Sequence, residues 1–477
     1  MLDAFKRRYL FALISLLFLP FSCLQLKAQN PLSLRECVEI ALQSNKDIQA
    51  AWHQQQKYVY EMKALRANFY PSISASFTGL YSSLEKSRTF NVSTPAGQFI
   101  ADRLQQRMPW LITPEWRNQI ASSLAAELAP LNPTIDYRVG TVLVGNVNLT
   151  QPIFMGGKIM TGYEMGKLGV RMAELGEKLT REETIVAVQE AYLLMAKAKE
   201  LQKVAIQYDS LLVQLSHDVE SAKRHGMASG NDLMKVQVKK TDARLKVTQA
   251  FNGVRLARMN LCQVMGLDLD EPIDIEENTL EETEFLTDPF ATTADRTEAR
   301  LLEMKTRLAE HQVKLERAAM LPEIGISLNG TLLDGMHLMG EKLLDQDLVL
   351  NAAISVKIPI FSGGKTRNKI LAAKEELARQ QLEEKSLREK MNLDLRKRAD
   401  ELEEAGLDLQ MRRQNLLQSE ENLRISRKAY EVGNQTLSDL LTAQLLWQQG
   451  FADFVEAKFE QNIKYVMWQK AAGKIVY

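Results

Sequence analysis

The sequence predicts a mainly helical protein with a membrane β-barrel portion, built from two copies of a helix, strand, strand, long helix, helix unit. Three observations predict this fold class. Motifs recur at a constant spacing, two long tracts lack proline, and residues before each tract alternate between apolar and polar types.

The chain begins with a stretch typical of a secretory signal peptide. Basic residues 6–8 precede an apolar run, residues 9–21, that is too short to span a membrane. Cleavage after Ala28 assigns residues 1–28 to the signal. Cleavage before Cys23, which would leave a lipidated cysteine, stays open as an alternative. Either way, we expect the protein to leave the cytoplasm.

A duplication organises the rest of the chain. A Pro-Ile-Phe-x-Gly-Gly-Lys motif begins at Pro152 and again at Pro359, a shift of 207 residues. A second motif keeps this shift: Gly226, Asp232, Leu233 and Gln237 correspond to Gly433, Asp439, Leu440 and Gln444. An unchanged shift means that both copies have the same length between the two motifs, which indicates a true repeat.

An insertion separates the start of the first repeat from its second strand. An upstream Arg-Ala-x3-Pro match, ending at Pro71 and Pro322, is shifted by 251 residues, 44 more than the 207 found downstream. Residues 84–138 hold five prolines, and we expect a long surface loop there with a short helix near residues 116–128.

These landmarks set the predicted domain boundaries. We assign residues 29–267 to the first repeat and residues 291–477 to the second. The linker between them, residues 268–290, is acidic: Asp268 to Asp288 includes ten acidic residues and no basic one. Such a run is typical of a solvated loop.

Each repeat is expected to contain one very long helix, over residues 158–225 and 365–430. No proline lies between Pro152 and Pro272 or after Pro359, and an interior proline would cost a helix about 3 kcal/mol. The second helix carries leucines seven residues apart, which predicts left-handed supercoiling against a neighbour. They are Leu395, Leu402, Leu409, Leu416 and Leu423.

Four strands are predicted, near residues 71–82, 139–154, 322–333 and 347–361. In the last, apolar Leu348, Leu350 and Ile354 alternate with polar residues, and the other three show the same period of two. This pattern fits the wall of a membrane barrel, although a strand in a soluble sandwich alternates equally well. Four strands cannot close a barrel, so a membrane location requires several chains to share one.

Composition and motifs argue against several other classes of function. The 60 basic residues balance 60 acidic ones, which gives no field for binding nucleic acid. The five histidines are scattered without metal-ligand spacing, and no Gly-x-Ser-x-Gly elbow occurs. Gly364-Lys365-Thr366 imitates a phosphate-binding loop, but Pro359 stands where its first glycine is required. We therefore expect no enzyme activity, no cofactor and no metal site.

The ordered motifs resemble the TolC family of outer-membrane efflux proteins over nearly all of the mature chain. The opening Leu32-Ser33-Leu34-Arg35-Glu36 stretch is similar to the family's first helix, and Ser33 with Glu36 forms a capping box. The paired proline-glycine motifs look like the family's strand-to-helix junctions: Pro152, Gly156, Gly157, Pro359, Gly363 and Gly364. Gly226 and Gly433 look like the turns at the helix tips.

The resemblance implies a homotrimer that shares a twelve-stranded barrel in the outer membrane, above a helical tunnel in the periplasm. In the family, tip aspartates line a constricted entrance, and Asp439 and Asp232 match such positions. A further family aspartate falls on Thr442, which weakens any acidic ring. Alternatively, both aspartates simply cap the helices that follow.

The resemblance also implies a function. The chain would be the passive exit duct of a tripartite efflux or type I secretion system, coupled through a periplasmic adaptor protein to an inner-membrane pump and embedded in outer-membrane lipid. The alternative is a coiled-coil structural protein of the envelope, which does not transport. Neither the substrate nor the pump class can be read from the sequence.

Overall fold

A computed structural model describes residues 31–276, 285, 288, 291–338, 341–342 and 347–475. The predicted signal peptide and Cys23 lie outside the described residues, as does much of the acidic linker. Among the described helices, none combines the length and apolar character needed to cross a membrane.

The elements follow the predicted order twice. The helices are α1 (Leu34–Ser44), α2 (Lys46–Ala67), α3 (Ser93–Arg107), α4 (Pro114–Leu128), α5 (Lys158–Arg224), α6 (Gly230–Met265), α7 (Thr297–Ala318), α8 (Lys365–Glu431) and α9 (Leu437–Ala471). The strands are β1 (Ser72–Thr89), β2 (Thr134–Met155), β3 (Glu323–Leu338), β4 (Glu341–Lys342) and β5 (Asp347–Lys357).

The inserted segment 84–138 is more ordered than the sequence suggested. It contains two helices, α3 and α4, where one short helix was expected, and its ends extend β1 and β2. The helix α3 was not predicted, because Pro95 was interpreted as part of a loop. Proline is nevertheless tolerated in the first turn of a helix, because the N–H groups there have no intrahelical acceptor.

The described residues fall into two compact units. The helical unit comprises the residues up to Val59 together with Leu168–Leu308 and those from Leu377 onward. The sheet unit comprises Tyr60–Lys167 and Ala309–Glu376.

The sheet unit is an antiparallel sheet in the order β1, β2, β3, β5, with β4 paired to the end of β3. Its register places apolar residues from all four long strands in shared rows. Ile73, Leu149, Leu328 and Ala352 form one such row, and Ala75, Val147, Gly330 and Leu350 form the next. Since neighbouring residues of a strand face opposite sides, the other face carries the polar rows.

The polar rows are neutral in their central part. Ser74, Asn148, Asn329 and Asn351 form one row, and Ser72, Thr150, Ser327 and Ala353 form the one beside it. The Thr331 hydroxyl lies 2.8 Å from the Oδ1 atoms of both Asn146 and Asn329. The sheet is therefore apolar on one face and hydrogen-bonding on the other.

The helical unit has its main core where α1, α5, α6 and α9 pack together. Cys37, Tyr192, Leu261 and Met265 are buried there, and both Cys37 and Cys262 are free thiols. The first four leucines of the seven-residue stripe are buried, and Leu423 is half-buried. The predicted capping box at Ser33 is present, with the Glu36 carboxylate accepting from the Ser33 N–H at 2.8 Å.

Part of the acidic linker is packed rather than solvated. Ile273 and Ile275 are buried in the main core, and Ile275 forms a parallel bridge with Leu32. Lys199 pairs with Asp274 at 2.7 Å. The acidic residues alone predicted a solvated loop, but the isoleucines that alternate with them are apolar and pack into the core.

Tyr192 connects this core to the N-terminal segment and yields a stability prediction. Its ring is fully buried, and its hydroxyl donates to the Leu32 carbonyl at 2.9 Å. We expect Tyr192→Phe to lower the free energy of unfolding by about 1 kcal/mol, the value of one hydrogen bond. Tyr192→Ala should cost about 3–5 kcal/mol because it also leaves a cavity. Thermal unfolding followed by circular dichroism in detergent measures both, and equal losses would contradict the assignment.

Candidate functional site

The two tip turns of the helical unit have the same construction. Gly226 and Gly433 have φ angles of 76° and 78°, in the left-handed region that glycine adopts without strain. Each follows a helix end closed by the paired hydrogen bonds of a Schellman motif. The Met227 N–H donates to the Ala222 carbonyl at 2.9 Å, and the Asn434 N–H donates to the Ala429 carbonyl at 2.8 Å.

Asp232 and Asp439 cap the helices that leave these turns. The Asp439 carboxylate accepts from the Thr436 hydroxyl at 2.7 Å and from the Thr436 N–H at 3.0 Å, while the Asp439 N–H donates back to that hydroxyl. Ser229 and Asp232 form the equivalent box. The structure thus shows the capping role that the sequence analysis gave as the alternative to gating.

These hydrogen bonds stabilise the ionised form of both carboxylates. They lower the pKa of Asp232 through Ser229 and the pKa of Asp439 through Thr436, from an ordinary value of 3.8. A lowered folded-state pKa means that the cap's contribution to stability is present above pH 3.8 and is lost as the pH falls through the lower folded value. Both charges therefore persist throughout the neutral and mildly acidic range.

A cleft of about 1240 Å³ lies between the two tip turns of the helical unit. It brings together residues about 200 positions apart in the sequence, among them Asp218 and Asp232 from the first repeat and Arg424 and Tyr430 from the second. Burial raises the pKa of the Tyr430 hydroxyl, and the nearby negative charges of Asp232 and Asp218 raise it further. The Lys235 ammonium joins the repeats by donating to the Ser438 hydroxyl at 3.5 Å.

The candidate gate residues are not all in this cleft. Asp232 lines it, whereas Asp439 and Thr442 lie outside its lining. The Thr442 hydroxyl donates to the Ser438 carbonyl of its own helix at 2.8 Å. The sequence analysis missed the basic residues Arg424, Arg427 and Lys428. The sequence signal that could have found them is a cluster of basic residues in the last turns before Gly433. Positive charges are favourable there because they interact with the negative end of the helix dipole.

The strand-to-helix junctions of the sheet unit are also alike in backbone geometry. Gly156 and Gly157 have φ angles of 62° and 84°, and Gly363 and Gly364 have angles of 61° and 83°. Only the first junction is tightly packed, because a Cβ on Gly156 would lie 2.5 Å from the Ala318 carbonyl oxygen. Lys158, which follows this junction, pairs with Glu323 at the start of β3.

In the described part of the chain, no group of three or more His, Cys, Asp or Glu residues is placed to hold a metal ion. The same described residues form an amphipathic sheet, in which the edge strands β1 and β5 have a partner on one side only, and a set of long paired helices. A sheet of this kind together with long paired helices is typical of outer-membrane channels.

Comparison with known proteins identifies the family. The sequence profile of the outer membrane efflux protein family matches residues 37–267 and 298–474. The chain belongs to this family. The match confirms the TolC-family resemblance, the predicted fold class, the outer-membrane location with a periplasmic helical portion, and the function of an efflux channel.

Individual relatives are distant in sequence but close in fold. The outer membrane efflux protein BepC of Brucella suis biovar 1 is 22% identical over 347 residues, covering 72% of this chain and 74% of BepC. A membrane protein from Pseudomonas aeruginosa superposes with a TM-score of 0.70 at 15% identity, covering 92% of this chain and 93% of that one. The outer membrane protein VceC of Vibrio cholerae superposes with a TM-score of 0.68 at 13% identity, covering 92% of this chain and 96% of VceC.

Proposed function

We propose that the chain is a homotrimeric, passive exit duct in which each protomer contributes its sheet to a twelve-stranded barrel. The observation that carries this proposal is the sheet itself. In the central part of the sheet, its rows are apolar on one face and neutral and polar on the other. β1 and β5 each have a partner on one side only in the described part of the chain. Open edges are not tolerated in lipid, so neighbouring chains must supply the missing partners.

Transport through such a duct needs an external source of energy. We propose that an inner-membrane pump supplies it and that a periplasmic adaptor protein connects the pump to the helical unit, in a tripartite efflux or type I secretion system. We further propose that residues 1–28 are removed on export, and that the chain has no catalytic activity and does not bind nucleic acid.

Reconstitution tests the duct directly. The purified protein should have the mass of a trimer and should carry ion current across a planar bilayer. A folded, inserted trimer that stays without current under all opening conditions would contradict the proposal. Carbonate washing distinguishes the alternative of a structural coiled-coil protein, which would be released from membranes.

We propose that the tip aspartates also act at the periplasmic entrance. Asparagine keeps an oxygen that can accept the cap hydrogen bonds but removes the charge. The double variant Asp232→Asn, Asp439→Asn should therefore reduce cation selectivity and change conductance, while its melting temperature falls by only a few degrees. Asp400→Asn, which removes the same charge from an exposed position on α8, is the matched control. If permeation is unchanged in the double variant, the aspartates are caps alone.

A further inference from the structure

The paired helices α3 and α4, called the insert hairpin below, have no role in the duct described so far. They connect β1 to β2 at the end of the sheet opposite to α5, because α5 starts directly after the other end of β2. The family's periplasmic helical portion begins with the helices that follow β2 and β5, so we place the opposite end of the sheet at the cell exterior. The insert hairpin therefore belongs to the outer mouth of the duct.

The insert hairpin is firmly attached to the strands that carry it. The hydroxyl groups of Thr89 and Thr134 lie 3.0 Å apart, and the Phe90 N–H donates to the Pro133 carbonyl at 2.9 Å. The Asn132 side-chain oxygen then accepts from the N–H groups of Val92 and Ser93, each at 2.8 Å. Consecutive hydrogen bonds thus continue the β1–β2 ladder into the first turn of α3.

The two helices of the insert hairpin are also closely packed on each other. Gly97 permits the contact, since a Cβ there would lie 2.7 Å from the Ala121 carbonyl oxygen and 2.9 Å from the Ala125 nitrogen. Asp102 and Arg117 form an ion pair between the helices at 2.5 Å. The insert hairpin is therefore a defined surface and not a loose loop.

That surface exposes large apolar side chains. Phe99 is 62% exposed, Trp116 is 61% exposed, and Trp110 at the connection between the helices is 83% exposed. The two helices contact each other at Gly97 and Ala121. Going around each helix axis from its contact residue, Ile100 and Trp116 are displaced in the same rotational direction. In an antiparallel pair of helices, this places both side chains on the same side of the insert hairpin. Together with Leu111, which is also exposed, they give the insert hairpin a group of large apolar side chains open to solvent, which is typical of a functional surface.

Lipid does not fit as the occupant of this face. The outermost complete apolar row of the sheet contains Phe77 and Leu348, and β5 begins one residue beyond it, at the level of Thr78. From Thr78 to Thr89, β1 continues for about 36 Å at ~3.3 Å per residue. An interfacial helix buries its apolar face only ~5–10 Å into the bilayer surface. Even if the strands are strongly tilted, the insert hairpin starts too far from the lipid to do so.

We propose that the occupant is a second copy of this chain, so that the three insert hairpins of a trimer pack against one another across the outer mouth. The inference rests on the trimer of the proposed function. β1 is an edge strand at which a neighbouring chain must pair, and the insert hairpin follows β1 directly, so the contact between hairpins continues the contact between sheets. A stable interface of standard size buries ~800 Å² per partner, so polar residues around the apolar face would take part in the contact as well.

Cross-linking tests the packing in intact cells. In Trp116→Cys, a short bis-maleimide should link neighbouring protomers into dimers and trimers. Ser122→Cys, an exposed position of α4 rotated to the opposite side, should give none. The native Cys37 and Cys262 are fully buried and do not interfere. Equal yields from both variants, or a link from Trp116→Cys to a different protein, would overturn the proposal.

A deletion provides an independent measurement. Replacing residues 93–131 by a short Gly-Ser linker should leave the mass of the trimer unchanged and increase both single-channel conductance and uptake of large dyes from outside. An unchanged conductance in an intact trimer overturns the mouth-covering role and leaves the duct in place. A protein that forms no trimer, with or without the insert hairpin, contradicts the proposed function itself.

Discussion

Leu328→Lys should sharply reduce the amount of folded protein in the outer membrane, whereas Asn329→Lys should be tolerated. The two residues are neighbours on β3, an inner strand, but they belong to an apolar row and a neutral polar row. A lysine facing lipid near the middle of the bilayer costs about 2–4 kcal/mol, and one facing an aqueous lumen costs much less. The comparison tests which face of the sheet contacts lipid.

Outer-membrane yield and resistance to urea extraction measure this effect. Leu328→Ala is the matched control, because it removes the leucine without adding a charge. If Asn329→Lys were as damaging as Leu328→Lys, the assignment of the polar face to the lumen would be wrong. If neither had an effect, the sheet would not lie in the membrane.

Gly156→Ala should destabilise the protein far more than Gly363→Ala, although the two glycines occupy equivalent places in the repeats. Their φ angles, 62° and 61°, impose the same left-handed strain on alanine, roughly 1–2 kcal/mol. At Gly156, the new methyl group would also meet the Ala318 carbonyl oxygen at 2.5 Å and the Leu321 Cβ at 2.8 Å. At Gly363, no atom lies within 4 Å in the described structure.

The expected loss is roughly 1–2 kcal/mol for Gly363→Ala and about 1–3 kcal/mol more for Gly156→Ala, the usual cost of overpacking. Melting temperatures of the purified variants provide the comparison. Equal shifts would mean that the backbone conformation alone sets the cost and that the first junction can adjust its packing. The comparison isolates the steric effect, because Gly363 has the same backbone conformation as Gly156 without the close contacts.

Periodic and duplicated features were predictable from the sequence. The long helices at Lys158–Arg224 and Lys365–Glu431 lack proline over their whole length, so propensity and pattern agree. The outer part of β1, up to Thr89, was not predicted, because residues 83–89 show no alternation. Only pairing with β2 keeps this segment extended.

The candidate site was predictable to a smaller degree. The capping of α9 by Asp439 followed from local sequence, because a capping box involves residues only three positions apart. The cleft between the tip turns did not, since it joins Asp218 to Arg424 through the packing of two repeats. Burial of Ile275, a residue of the linker, likewise depends on a distant partner, Leu32.

The asparagine row on the polar face has one more consequence. Amide and hydroxyl groups donate and accept hydrogen bonds equally well, so a wall built from Asn148, Asn329 and Asn351 can replace the hydration of a cation, an anion or a neutral solute without preferring either sign. We therefore expect the central part of the proposed barrel to select solutes by size and not by the sign of their charge. Selection by charge is then expected at the periplasmic entrance, before a solute reaches the barrel.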